Sequence, residues 1–120
     1  MTGGDPLARS PVDDLAATWT AAWSAAGAFT GCCSAEITYE DPLAPTTLSG
    51  LAELEAHAVR LRDAFPDVRV EPTAPSLARG DHACIPWKLS GTNRGPLAML
   101  PATDRPVALH GLHYLELSDG

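Results

Sequence analysis

The side chains in this 120-residue sequence that could move a proton near neutral pH start with His113 and Asp41. In the run Leu109-His110-Gly111-Leu112-His113-Tyr114-Leu115-Glu116-Leu117, strand alternation puts His113 on the same side as Leu109, Gly111, Leu115 and Leu117. An imidazole facing an apolar side could donate to an enolate oxygen or accept a proton, because its unperturbed pKa of about 6.5 lies near working pH. The alternative is a hydrogen-bonded core histidine. In Ile37-Thr38-Tyr39-Glu40-Asp41-Pro42 the same alternation groups Asp41 with Ile37 and Tyr39. Burial there would raise the carboxyl pKa and make a usable base. The competing reading is a turn, since Asp before Pro commonly hydrogen-bonds its own backbone. Tyr39 offers a hydroxyl to a carbonyl oxygen, and Trp19, Trp23 and Trp87 offer flat apolar walls that packing alone also explains. His110 has the opposite parity, on the outer face or at a dimer contact, while His57 and His82 read as solvated.

Other chemistries lack their residues. The sequence has no G-x-S-x-G, no P-loop and no H-E-x-x-H, which removes serine hydrolase, P-loop and zincin readings. Cys32 and Cys33 are adjacent and Cys84 lies far along the chain, so they read as buried reduced thiols rather than as a disulfide framework. No C-x-x-C and no Cys–His pair at ligand spacing occurs, so neither a metal nor another cofactor is expected. Glu53, Glu55, Arg60 and Arg62 sit where a helix dipole accounts for them.

Composition sets the frame for these residues. With 45% hydrophobic residues the chain can bury a core as one domain. Fifteen acidic residues against eight basic ones give a net charge of -7, which disfavours nucleic acid and anionic membranes as partners. The opening MTGGDPLARS has no apolar signal region, and no stretch is long enough to span a membrane, so a soluble cytoplasmic protein is expected.

The elements that must position the candidate residues follow from periodicity. Residues 1–9 read as a flexible N-terminal arm, and the domain as 10–120. Ser10 as N-cap, Pro11 at the first helical position and Asp13 and Asp14 in the first turn start a helix that runs to Ala26. Its apolar stripe is Leu15, Trp19, Ala22, Trp23 and Ala26, with Ala17, Thr20 and Ser24 outside. A short helical stretch at Phe29–Cys33 precedes the strand Ile37–Pro42 and a loop containing Pro45 and Gly50. A second helix covers Leu51–Phe65, with Leu51, Leu54, Ala58, Leu61 and Phe65 inward. The rest reads as strand and turn: Val68–Glu71, a turn at Ala78–Asp81, His82–Thr92, and Val107–Leu117. Pro86 inside the third of these implies an edge or a bulge. Helices first and antiparallel strands after them argue an α+β fold, a curved sheet over two to three N-terminal helices with a conical space open at one end.

Six motifs in order carry a resemblance. They are W-x-x-A-W (Trp19–Trp23), Y-E-D-P (Tyr39–Pro42), L-x-x-A-F-P-D (Leu61–Asp67), G-D-x-x-x-x-x-W (Gly80–Trp87), S-G-T-N-R-G-P-L (Ser90–Leu97) and L-P-A-T-D-R-P-V (Leu100–Val107). Together they resemble the SnoaL-like polyketide cyclase family of the nuclear-transport-factor-2-like superfamily, over residues 12–120. The resemblance implies a cone-shaped barrel, a homodimer, and an apolar pocket for a small apolar or aromatic carbonyl compound. It also implies proton abstraction next to a carbonyl with cyclisation or isomerisation, without metal. The L-H-Y-L-E-L-S-D-G run places His113 on the family's strand histidine. Two departures stand out. Asn93 occupies the place of the histidine in the relatives' G-T-H, and the family's aspartate base belongs to a strand beyond the Asp119-Gly120 turn. The expectation is therefore a domain lacking its last strand, with an exposed sheet edge along Val107–Leu117. A non-catalytic small-molecule-binding or dimerising module of the same fold is the alternative.

Overall fold

Pro11 opens helix α1 (Pro11–Ala22) in the computed structural model, which describes residues 11–97 and 100–118. The expected arm, the Ser10 cap and the Asp119-Gly120 turn lie outside the described residues. Asp13 and Asp14 occupy the first turn as the helix dipole favours, and Asp13 also accepts the Ser76 amide at 3.1 Å. The helix ends one turn earlier than its alanine-rich sequence suggests. The amides of Trp23 and Ser24 bond three residues back, to Thr20 and Ala21, which tightens the last turn. Ser24, Ala25 and Ala26 are exposed, so no packing holds a further turn in place. The buried stripe is Ala16, Trp19, Thr20, Ala22 and Trp23. Thr20, expected outside, is buried because its hydroxyl bonds the Ala16 carbonyl at 2.8 Å and so leaves no unpaired group.

A 3₁₀ turn (Ala28–Gly31) follows and drives Phe29 into the core. Strand β1 (Thr38–Tyr39) is only two residues long and pairs with β2 (Leu48–Ser49), a contact that the Pro-rich loop had hidden. Helix α2 (Leu51–Ala64) buries Leu54, His57, Ala58, Leu61 and Ala64. His57, expected to be solvated, is 4% exposed. It sits three residues after Leu54 and four before Leu61, which is the inward face of a helix.

The main sheet contains β3 (Arg69–Pro72), β4 (Leu77–Arg79), β5 (His82–Thr92) and β6 (Pro106–Glu116). All three other strands pair antiparallel with β5: β3 and β4 with its two halves, β6 along its length. Residues 78 and 79, read as turn, are strand, and the reversal is confined to Gly80-Asp81, with Gly80 at φ 61. Pro86 needs neither a bulge nor an outer edge. β3 pairs no further along β5 than Trp87 and β4 no further than Cys84, so Pro86 falls in the gap between them. Its carbonyl accepts the Thr73 amide there at 3.1 Å. The nitrogen points to the same side as that carbonyl, away from β6, so the missing N–H leaves the β5–β6 ladder intact.

Ala83, Ile85, Trp87 and Leu89 face the helices as their alternation predicts, and Ile85 and Leu54 are fully buried. Each such side chain contributes about 1.5–3 kcal/mol through burial. The turn before β6 is held by Asn93, whose amide bonds the Arg105 carbonyl and whose side chain donates to the Pro101 carbonyl at 3.2 Å and the Thr103 hydroxyl at 3.3 Å. The three cysteines are free and half-buried rather than buried. The α+β architecture is as read from the sequence, with helices on one face of an antiparallel sheet that does not close. Among the described residues β6 has β5 as its only strand partner.

Candidate functional site

Sequence places Trp19 and Trp23 four residues apart on α1, Tyr39 on β1, Trp87 on β5 and His113 on β6. Folding brings all five rings together. Trp19 and Trp23 meet edge to face at 5.5 Å, and Tyr39 lies 6.1 and 5.3 Å from them. The His113 ring is 5.1 Å from that of Trp87 and 6.1 Å from that of Trp23, near parallel to the second at 13°. Trp87 reaches this position because its cross-strand partner is Gly111. A Cβ at Gly111 would stand 2.2 Å from Trp87 Cζ2, so the indole lies flat where any other residue would put a side chain.

Hydrogen bonds give the cluster a direction. The Trp19 Nε1–H donates to His113 Nδ1 at 2.9 Å. Indole nitrogen only donates, so Nδ1 is the bare nitrogen and the imidazole proton rests on Nε2. Nε2 faces the Tyr39 hydroxyl at 3.3 Å, and that hydroxyl donates onward to Asp41 Oδ2 at 2.7 Å. His57 Nε2 reaches the same oxygen at 2.9 Å. His57 Nδ1 lies 3.3 Å from an Arg60 guanidinium nitrogen, which can only donate, so His57 also carries its proton on Nε2. The chain of donors runs from Trp19 through His113 and Tyr39 to Asp41, and from Arg60 through His57 to the same carboxylate.

Asp41 is where the expected electrostatics fail. Burial would raise its carboxyl, as the sequence suggested, but hydrogen bonds from His57, Tyr39 and the Leu43 amide outweigh burial and hold it well below the usual carboxylate range. Its Oδ1 accepts the Leu43 and Ala44 amides at 2.7 and 2.9 Å, the turn expected of Asp before Pro. The turn reading of Asp41 therefore describes Oδ1, while the reading as a raised-pKa base gives way to an ionised carboxylate whose Oδ2 anchors the aromatic network. Burial pushes His113 down to about 4, with the Asp41 charge pulling weakly the other way. Tyr39 is raised by burial and then by its bond to Asp41. At neutral pH the site is thus a neutral imidazole N–H, a neutral phenol and a firmly ionised carboxylate.

His57 and Arg60 are the members that the sequence reading missed. The inward position of His57 on α2 was legible in its spacing, but its partner was not, because Asp41 stands 16 residues earlier across a loop. Trp23 Nε1 and Trp87 Nε1 are buried and have no protein partner. The expected conical space is largely filled by the rings themselves, with His113 and Trp87 half-buried at its open edge. Two open surface depressions lie elsewhere. One of about 440 Å³ includes Asp67, Arg69 and Thr92, and one of about 510 Å³ includes Leu15, Thr18, Cys32 and Cys33. The other histidines stand apart: His110 is exposed on the outer face, and His82 is exposed beside Asp81 and Tyr114.

Solved structures share this architecture. TsrD from Streptomyces laurentii is 23% identical, with a TM-score of 0.78 over 94% of this chain and 83% of that one. A protein from Catenulispora acidiphila DSM 44928 with a ketosteroid isomerase-like fold, solved with trimethylamine, is 21% identical, with a TM-score of 0.72 over 93% and 79%. A candidate SnoaL-like polyketide cyclase from Jannaschia sp. CCS1 is 18% identical, with a TM-score of 0.70 over 98% and 85%. At these identities the likeness is one of fold. No curated protein sequence matches the chain. The family profile of the SnoaL-like domain matches residues 11–120, the whole span of helices, sheet and aromatic cluster, and the chain belongs to that family.

Proposed function

We propose that this SnoaL-like domain binds a small apolar or aromatic carbonyl compound at the open edge of the aromatic cluster, with His113 Nε2–H as donor to the carbonyl oxygen. The observation that carries this reading is the directed hydrogen-bond chain, which leaves His113 neutral with its proton on the Nε2 side. The 3.3 Å contact with Tyr39 is a long hydrogen bond, so a carbonyl oxygen competes well for that proton. Trp87 supplies the apolar wall at that edge, Trp19, Trp23 and Tyr39 pack behind it, and Asp41 positions Tyr39 rather than taking a proton itself. A donor held on a carbonyl oxygen stabilises the enolate, and the proton of the adjacent carbon then passes to solvent water at the open edge. Cyclisation or isomerisation are the reactions that open from that species.

The test uses 1-tetralone as probe and follows deuterium exchange at its carbon-bound protons next to the carbonyl by NMR. Faster exchange with the native protein than with His113→Ala is expected. Equal exchange in the two removes His113 from the chemistry. The second reading is a non-catalytic binding or dimerising module. It is favoured by an apolar row across the outer face of the sheet, where Leu77, Cys84 and Tyr114 are consecutive partners and Leu77 and Tyr114 are 71% and 60% exposed. A homodimer burying this row is the proposed form, and a monomer in light scattering at micromolar concentration rejects it.

A further inference from the structure

Adjacent residues in an extended chain point to opposite sides, yet Cys32 and Cys33 bring their Sγ atoms to 3.8 Å. The cause is local. The Phe29 carbonyl accepts both the Cys32 and the Cys33 amide, at 3.1 and 2.9 Å, and Cys32 sits at φ −139, ψ −9 as the 3₁₀ turn unwinds. Both thiols are half-buried and line the open depression that also contains Leu15, Thr18 and Thr30. None of the five clustered rings lines this depression.

Two converging sulfurs with nothing further to offer define the ligand. A structural metal cation needs about four protein ligands. Among the described residues no group of three or more His, Cys, Asp or Glu stands together. The match is to a centre whose protein-side valence is two. We propose that Cys32 and Cys33 form a chelation site for a monosubstituted trivalent arsenical, with its organic group resting in the adjoining depression against Leu15. The arsenic–oxygen bonds break, two arsenic–sulfur bonds form, and the two thiol protons leave with the oxygen as water. Arsenic stays trivalent, so no oxidant or reductant enters. The 3.8 Å contact with the Cys33 thiol holds the Cys32 thiol below its usual pKa, which favours first attack from that sulfur. Cys84, on β5, is the internal control.

The experiment titrates the folded protein with phenylarsine oxide and reads native mass, free thiols and melting temperature. One adduct per chain with two of the three thiols consumed is expected. Binding should be at least tenfold weaker in Cys32→Ser and in Cys33→Ser, and unchanged in Cys84→Ser. Because the fold holds the sulfurs together, saturation should raise Tm by several degrees. Stoichiometric tight binding in either of the first two variants overturns the proposal, as does a Tm that is unchanged or lowered at saturation. Absence of any adduct on the folded native protein overturns it as well.

Discussion

The Trp19 indole N–H ends on His113 Nδ1 at 2.9 Å, and this contact decides which imidazole nitrogen carries the proton. The two residues are 94 positions apart, and nothing in their local sequence pairs them. Replacing Trp19 by Phe keeps most of the wall and deletes the donor. His113 Nδ1 then becomes free to take a proton, so the histidine pKa should rise from its depressed value. Nitrogen-15 NMR titration of the ring reads this directly. Stability should fall by about 1–3 kcal/mol through the lost hydrogen bond and the cavity left by the smaller ring.

A second consequence concerns pH. His113 titrates near 4 in the folded chain, against about 6.5 when unfolded. Between those values the unfolded chain binds the extra proton, so stability should drop as pH falls from 6.5 to 4, by up to about 3 kcal/mol. Asp41 acts in a lower window. Its folded pKa is depressed, so its contribution is present above the ordinary carboxylate pKa and lost as pH falls further. Urea unfolding at a series of pH values should show the first loss for the native chain and not for His113→Asn.

Gly111→Ala tests the stacking of Trp87. The new Cβ would stand 2.2 Å from Trp87 Cζ2, so the indole must leave its place beside His113. Overpacking of this kind costs about 1–3 kcal/mol. Tryptophan fluorescence should shift to the red and the near-ultraviolet circular dichroism of the cluster should weaken, with the helix signal retained.

Asp41→Asn removes a charge while keeping the shape. The amide can satisfy the Leu43 and Ala44 amides through its oxygen, but its NH2 then confronts two donors, the Tyr39 hydroxyl and His57 Nε2–H. A loss of about 2–3 kcal/mol is expected in chemical denaturation, in the range of a hydrogen bond to a charged group. A drop within 0.5 kcal/mol, the size of a neutral surface change, would mean that the network is not held by the carboxylate.

Much of the architecture was legible in advance because it repeats. Ala83, Ile85, Trp87 and Leu89 alternate over a long strand, and Leu54, Ala58 and Leu61 recur at helical spacing, so each position supports the same conclusion. Thr20 and Ala26 were misplaced for the opposite reason. One buried hydroxyl bonded to its own helix, and one turn with nothing to pack against, are single events that periodicity does not encode. The site shows the same division. His113 faced inward by parity, and Asp41 closed its turn through the residues next to it. The pKa of Asp41 was unreadable because it depends on His57 and Tyr39 meeting one oxygen, which only the folded chain arranges.

The gap at Pro86 has a consequence for how the sheet comes apart. β3 and β4 both pair with β5 but not with each other, and Pro86 contributes no amide between them. No zipper runs from one outer strand to the next. Fraying of β4 therefore leaves the pairing of β3 intact, and the reverse also holds. Amide exchange on that side of β5 should therefore divide into two independent families.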